Sequence, residues 1–435
     1  MALCNEPVGA QTAPMTTTEA PVRTGSLTML QGSALTIGAV LGTGVISLPG
    51  LAARIAGPAS LVSWLLLVLA SVPLAATFGA LGARFPDAGG VSSYARRAFG
   101  PKAGAIVGWC FYLAVPVGAP AASMMAGHYV AAAFGGGRAT VVGVAAALIL
   151  GVAGMNAFGV RLSGRVQLAL AAVLAGTILV TVVIALPHAR PDAVGPITPH
   201  GWPAVLSAAG VLVWAFAGWE AVAPLAAEYR APHRDVPLAT TIALVVVGAL
   251  YLGLAATTIL VLGPRAGDTV APLSDLMALA VGEGARPATA FVALLLTIGA
   301  MNAYFAGAAK LGSALGRDGA LPHWLAEGSR AGEVPRRSLL VVTVLASLTL
   351  GLATVTGLDF DVFMILATGA FGVVYVLGTA AAVKLFPPGW TRTGAIIGLA
   401  TALALAVSIG PAMLWAGLVS LAAVAYITVR SRRTR

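Results

Sequence analysis

Twelve stretches of this chain are long and apolar enough to cross a bilayer, and the positive charges sit in the loops between them. That pattern constrains the fold more than any single motif. Inside hydrocarbon every backbone N–H and C=O must be paired within the protein, so only helices or a closed barrel can span. Barrel strands would alternate over runs of about ten residues, and no such alternation dominates. Charged residues make up 9% of the chain, against about 25% in soluble domains. The chain reads as an all-α integral membrane protein. Its twelve transmembrane helices are expected near 30–53, 58–82, 103–133, 139–159, 165–187, 203–227, 238–263, 288–313, 338–357, 361–384, 393–410 and 412–430.

The net charge of +10 does not point to nucleic acid, because the Lys and Arg residues are spread over loops rather than gathered on one face. With the N-terminus inside, twenty of them fall on the cytoplasmic side. Five, Arg54, Arg138, Arg190, Arg265 and Arg286, fall on the other. That bias predicts a multi-pass protein of the inner or plasma membrane with both termini cytoplasmic. Residues 1–27 are expected to be a disordered tail and 431–435 a basic C-terminus. Cys4 and Cys110 form no disulfide or metal pattern, and Cys110 reads as a small core residue.

Two of the spans are interrupted in matching ways. The first reads Leu41-Gly42-Thr43-Gly44-Val45-Ile46 with Pro49 following; the sixth reads Phe216-Ala217-Gly218-Trp219-Glu220 with Pro224 following. A helix broken at membrane depth is tolerated only where it faces protein or a hydrated cavity. The breaks lie five spans apart, an odd number, so the second unit enters from the opposite side. Helices 1–5 (28–187) and 6–10 (203–384) are therefore expected to form inverted repeats, with helices 11–12 (391–430) appended. This is the leucine-transporter-type 5+5 topology, and paired breaks mark its binding site.

At the first break a restarting helix offers the free amides of Thr43, Gly44 and Val45 to an anionic group, and Gly42 and Gly44 permit close approach. The ending half exposes carbonyls near Val40. The sixth helix adds others near Trp214, Ala217 and Gly218. Amides facing carbonyls across a short gap suit a zwitterion; the alternative is that the glycines serve tight helix packing. Glu220 is the one carboxylate placed deep in a span, where a charge costs about 2.5–3.5 kcal/mol. It is a candidate for proton coupling or gating, or else a capping acid bonded to amides freed by the break. Trp214 and Trp219 flank the break as lids or as packing. Tyr112 and Ser123 of helix 3, and Asn302 and Tyr304 of helix 8, are candidate pocket lining. His128 reads as a satisfied polar residue. Gly89-Gly90 lacks the Gly-Lys-Ser/Thr ending of a phosphate loop and reads as a reentrant or surface elbow.

These residues resemble the amino acid–polyamine–organocation superfamily of permeases. The carrying motifs are Gly42-Thr43-Gly44-Val45-Ile46, Phe85-Pro86-Asp87-Ala88-Gly89-Gly90 leading to Gly108-Trp109, and Phe216-Ala217-Gly218-Trp219-Glu220. Two further ones are Glu228 with Pro232-His233-Arg234-Asp235-Val236-Pro237, and Arg317-Asp318-Gly319-Ala320-Leu321-Pro322. The likeness runs from about residue 28 to the last span. Pro116 to Ala122 and the Trp214–Glu220 stretch look closest to bacterial exporters of neutral amino acids such as methionine and the branched-chain set. The resemblance implies proton-coupled efflux or antiport by alternating access. It places the substrate carboxylate on the amides of Thr43 and Gly44, the amine on the carbonyls of Val40, Trp214 and Ala217, and gating or protonation on Glu220. Some relatives carry a lysine in helix 5; here that helix has only Gln167 near its start.

The implied partners are an amino acid, the proton and the lipid bilayer, with no cofactor, no metal and no nucleic acid. Uptake or exchange of another amino acid or amine stays open as the alternative, and a channel or membrane enzyme is more remote. His128, His188, His200, His233 and His323 are scattered and form no catalytic cluster. No charged side chain besides Glu220 is expected at the pocket, which favours a neutral solute.

Overall fold

The computed structural model describes residues 28–85, 90–159, 164–221, 229–328 and 333–433. The first expected span is two helices, α1 (Met29–Leu41) and α2 (Gly44–Ala56). Thr28 opens α1 with a capping box, its side chain accepting from the Gln31 amide. The chain continues with α3 (Ser60–Arg84), α4 (Gly90–Phe99), α5 (Pro101–Phe134), α6 (Arg138–Ala157) and α7 (Gly164–Ala185). After α8 (Pro203–Leu212) come α9 (Pro232–Leu262), α10 (Pro272–Val281), α11 (Arg286–Arg317) and α12 (Arg336–Thr356). The last helices are α13 (Phe360–Leu385), α14 (Trp390–Ile409) and α15 (Met413–Arg433).

Among the described residues, nine helical stretches are long and apolar enough to cross a membrane. Two of them, Gly44–Arg84 and Trp390–Arg430, run for 41 residues, about twice what one crossing needs. Each is interrupted by the same tripeptide, Gly57-Pro58-Ala59 and Gly410-Pro411-Ala412, which forms a single 3-10 turn. Proline lacks the N–H that would continue the helix before it and has the φ needed to start the next.

The surface is that of a protein in lipid. On α12 the residues Leu340, Val344, Leu348, Leu352 and Val355 form an exposed apolar stripe, while Leu339, Val342, Ala346, Leu350 and Ala353 on the opposite face are buried. Water would penalise that stripe; hydrocarbon does not. On the same helix the hydroxyls of Thr343, Thr349 and Thr354 each donate to the carbonyl four residues back.

The long helix α5 is the axis of the bundle. It packs on α4, α6, α11, α12, α13 and α15, and is the most enclosed of the candidate spans. Around it α1 leans on α9 and α7, and α2 on α8. Near the axis Cys110 is buried against Ser420, as a core thiol should be.

Two elements depart from the sequence reading. The expected elbow before helix 3 is a ten-residue helix, α4, whose Ser92 hydroxyl donates to the Gly104 carbonyl of α5. The segment before α11 carries the short helix α10, too brief to span. Residues 1–27, Pro86 to Gly89, Arg161, Pro224, Glu228, Arg330 and Arg435 lie outside the described residues, so the tail, part of the loop motif and the second half of the sixth span do too.

Candidate functional site

The first break is two residues wide. Gly42 takes φ +32° and ψ −158°, which a side chain resists, and Thr43 leads into α2 without capping it. The second break is wider. Beyond α8 the chain tightens into a 3-10 turn over Val213–Phe216, and Ala217 is extended. Gly218 has φ +133°, and a second 3-10 turn covers Trp219–Ala221. Little separates the two breaks. A Cβ on Gly44 would lie 2.9 Å from Trp214 Cδ1 and 3.1 Å from Ala215 Cα.

Both breaks open on one cavity of about 60 Å³; one water needs roughly 10–15 Å³ by the same measure. Val40, Gly42, Thr43 and Gly44 contribute from the first break, Trp214 and Ala217 from the second. The axial helix supplies Ala114, Val115, Gly118, Ala119 and Ala122, and α11 supplies Ala300, Met301, Tyr304 and Phe305, with Phe371 from α13. The side-chain wall is apolar except for Thr43, Tyr304 and the indole of Trp214. Polar recognition is therefore left mostly to main-chain groups at the broken ends. Gly118 is small for a reason: its Cβ would meet Trp214 Cη2 at 2.8 Å.

Glu220 is buried behind this cavity rather than on its wall. Its Oε2 accepts from the Gly218 amide at 2.9 Å and from the Tyr375 hydroxyl at 2.8 Å. Oε1 has no hydrogen-bond partner among the described residues. The capping alternative is thus realised at one oxygen, and the other is left unused. Tyr375 comes from α13, 155 residues away, and nothing in the local sequence marks it.

Four of the expected lining residues stand behind the wall. Tyr112 turns to Ser338 of α12, its Oη 3.3 Å from Ser338 Oγ. The Ser123 hydroxyl donates to the Ala119 carbonyl at 2.8 Å. Asn302 accepts from the Asn156 side chain at 2.8 Å. Trp219 is buried with its Nε1 unpaired among the described residues. Val45 and Gly218 flank the lining without forming it. His128 is satisfied by Asp359, at 3.2 Å.

An amino acid permease family model matches residues 27–429, nearly the whole chain. The chain belongs to the amino acid permease family. The uncharacterized amino acid permease YecA of Bacillus subtilis is 31% identical over 379 residues, covering 86% of this chain and 89% of its own length. The L-methionine/branched-chain amino acid exporter YjeH of Escherichia coli is 30% identical over 394 residues, covering 87% and 91%. An uncharacterized transporter of Mycobacterium tuberculosis is 30% identical, covering 94% and 93%. These relatives are permeases and transporters, not enzymes. The permease is a multi-pass membrane protein, and its broken helices and their shared cavity lie within the matched region.

Proposed function

We propose that this permease exports or exchanges neutral amino acids, methionine, leucine, isoleucine and valine, across the cell membrane by proton-coupled alternating access. Two five-helix inverted repeats, 28–187 and 203–384, would rock about the site, with helices 11 and 12 appended and both termini cytoplasmic. The observation that carries the reading is the meeting of two broken helices at a single small cavity with apolar side-chain walls. The N-terminal amides of α2, at Thr43, Gly44 and Val45, supply donors for an α-carboxylate. The carbonyls of Val40, Trp214 and Ala217 supply acceptors for an α-ammonium, since each carbonyl has two lone pairs. The Ala, Val, Met and Phe wall takes an aliphatic side chain and offers no counter-charge to a basic or acidic one.

Glu220 is the coupling group in this reading. It bonds the amide of Gly218, inside the break, and reaches α13 through Tyr375. Gain or loss of a proton there changes what holds the second break to the neighbouring helix. Direction follows the gradients, because alternating access is reversible; export is favoured by the likeness to YjeH. The test is transport by purified protein in proteoliposomes under an imposed pH gradient. Wild type should move methionine or leucine in a gradient-dependent way, and Glu220→Gln should make the residual flux indifferent to the gradient. Gradient-dependent flux in that variant removes the coupling role.

A further inference from the structure

Between Phe291 and Ala309 the helix α11 is apolar but for Thr297, Asn302 and Tyr304. Apolar packing in lipid gives such a helix little preference for one rotation over another, because hydrocarbon is as good a neighbour as an apolar side chain. Polar bonds and close backbone approaches must decide it. Near the start of α11 the Thr289 hydroxyl donates to Ser274 Oγ of α10 at 3.0 Å. Near its end Gly312 is pressed on α12 and α5, where a Cβ would fall 2.2 Å from Ser338 Oγ and 2.3 Å from the Tyr112 ring. Between the two, Asn302 accepts from the Asn156 side chain of α6 at 2.8 Å. Asn156 also donates to the Val152 carbonyl of its own helix at 3.0 Å, and both asparagines are buried. Among the described residues, theirs is the one side-chain hydrogen bond from the 291–309 stretch to another helix.

That middle contact stands at the height of the cavity. Ala300, Met301, Tyr304 and Phe305 line it, and Asn302 lies between them in sequence on another face of the same turns. Resting on the amino acid reading above, we infer that Asn156 and Asn302 are positioning residues that set which amino acid side chains the site accepts. The pair fixes the rotation of α11, and with it how far Met301, Tyr304 and Phe305 reach into the cavity. A buried asparagine can give up stability for a defined register between helices, and a fully bonded polar pair makes its surroundings rigid. Neither asparagine lines the cavity, so both act through the wall and not by touching the solute. Without the bond α11 turns more freely, and selection between side chains that differ by one methylene changes. Coupling through Glu220 continues.

The experiment measures transport of L-leucine and L-valine in proteoliposomes by wild type, Asn156→Ala, Asn302→Ala, the double variant and Thr289→Val. Each single alanine variant is expected to shift the leucine-to-valine ratio of kcat/KM about fivefold, with the change carried by KM and the maximal rate within about twofold. The double variant should shift the ratio no further than either single one, because both remove the same bond. Thr289→Val, which breaks the contact away from the cavity, should leave the ratio within about twofold of wild type. An unmoved ratio in the single variants, effects that multiply in the double one, or an equal shift in Thr289→Val overturns the assignment. Should the alanine variants fail to fold, leucine at both positions replaces the pair with apolar groups of similar size, a change that can be nearly neutral for stability; a wild-type ratio in that protein overturns it equally. If wild type itself carries neither amino acid, the proposed function fails first, and it is the wild type that reports this.

Discussion

The two breaks face the same cavity but are built differently. The first is a two-residue gap between well-formed helices, and its far half is seated firmly. A Cβ on Gly50 would collide with the Thr269 carbonyl, the Tyr129 hydroxyl bonds the Ile46 carbonyl, and Arg54 pairs with Asp361 at 2.9 Å. The second break spreads over two 3-10 turns and an extended residue, and it contains the buried acid. A short break between seated helices makes a fixed set of amides and carbonyls. A long one, in which a buried carboxylate bonds both the Gly218 amide and a tyrosine of a neighbouring helix, has the make-up of a joint. In the proposed reading, binding geometry belongs to the first break and movement to the second.

The strongest way to test that contrast is to remove the joint's acid. Glu220→Leu leaves the Gly218 amide and the Tyr375 hydroxyl without their acceptor in a buried place. The cost should be about 2–5 kcal/mol, read as a lowered melting temperature with transport lost. Next is the fixed break. Gly44→Ala forces a Cβ against Leu48, Trp214 and Ala215, which should cost about 1–3 kcal/mol and abolish substrate-induced thermal stabilisation. If Gly44→Ala were as well tolerated as a surface change, the tight apposition of the breaks would be wrong.

Smaller effects refine the picture. Gly118→Ala pushes on the Trp214 indole and should shrink the cavity, so leucine should lose more kcat/KM than valine, by about tenfold for the extra methylene. The smallest concerns the Asp359 end of α13. Burial raises that carboxyl, but bonds from the His128 ring and the Phe360 amide, with Arg138 nearby, hold it below its usual range. A carboxyl depressed on folding stabilises above its unfolded value and loses that contribution as pH falls through the folded one. Asp359→Ala should therefore cost about 1 kcal/mol near neutral pH, a difference that begins to fade as pH falls below about 4 and is lost only below the depressed folded-state value. An undiminished difference in acid would show that the pair does not hold α13.

The helices and the breaks were legible because their causes are local. A run of about twenty apolar residues must become a helix in lipid, and Gly42 and Gly218 mark backbone angles that side chains resist. What α5 turns toward the cavity was not legible. That helix is apolar on every side, so the sequence has no polar face to contrast with a buried one. Packing alone chose the face bearing Ala114, Gly118 and Ala122, spaced four apart, and sent Tyr112 and Ser123 elsewhere.

The same holds for the hydroxyls that serve the site. Tyr251 and Tyr375 look like ordinary aromatic residues of apolar helices until the fold brings them to carbonyls and a carboxylate far away in the chain. Sequence alone determined that this chain spans a membrane as helices and where two of them must break, because backbone pairing in hydrocarbon leaves no other choice. Only the tertiary structure decided which side chains complete the broken ends, because a hydrogen bond between distant segments depends on their final placement and leaves no periodic trace in either one.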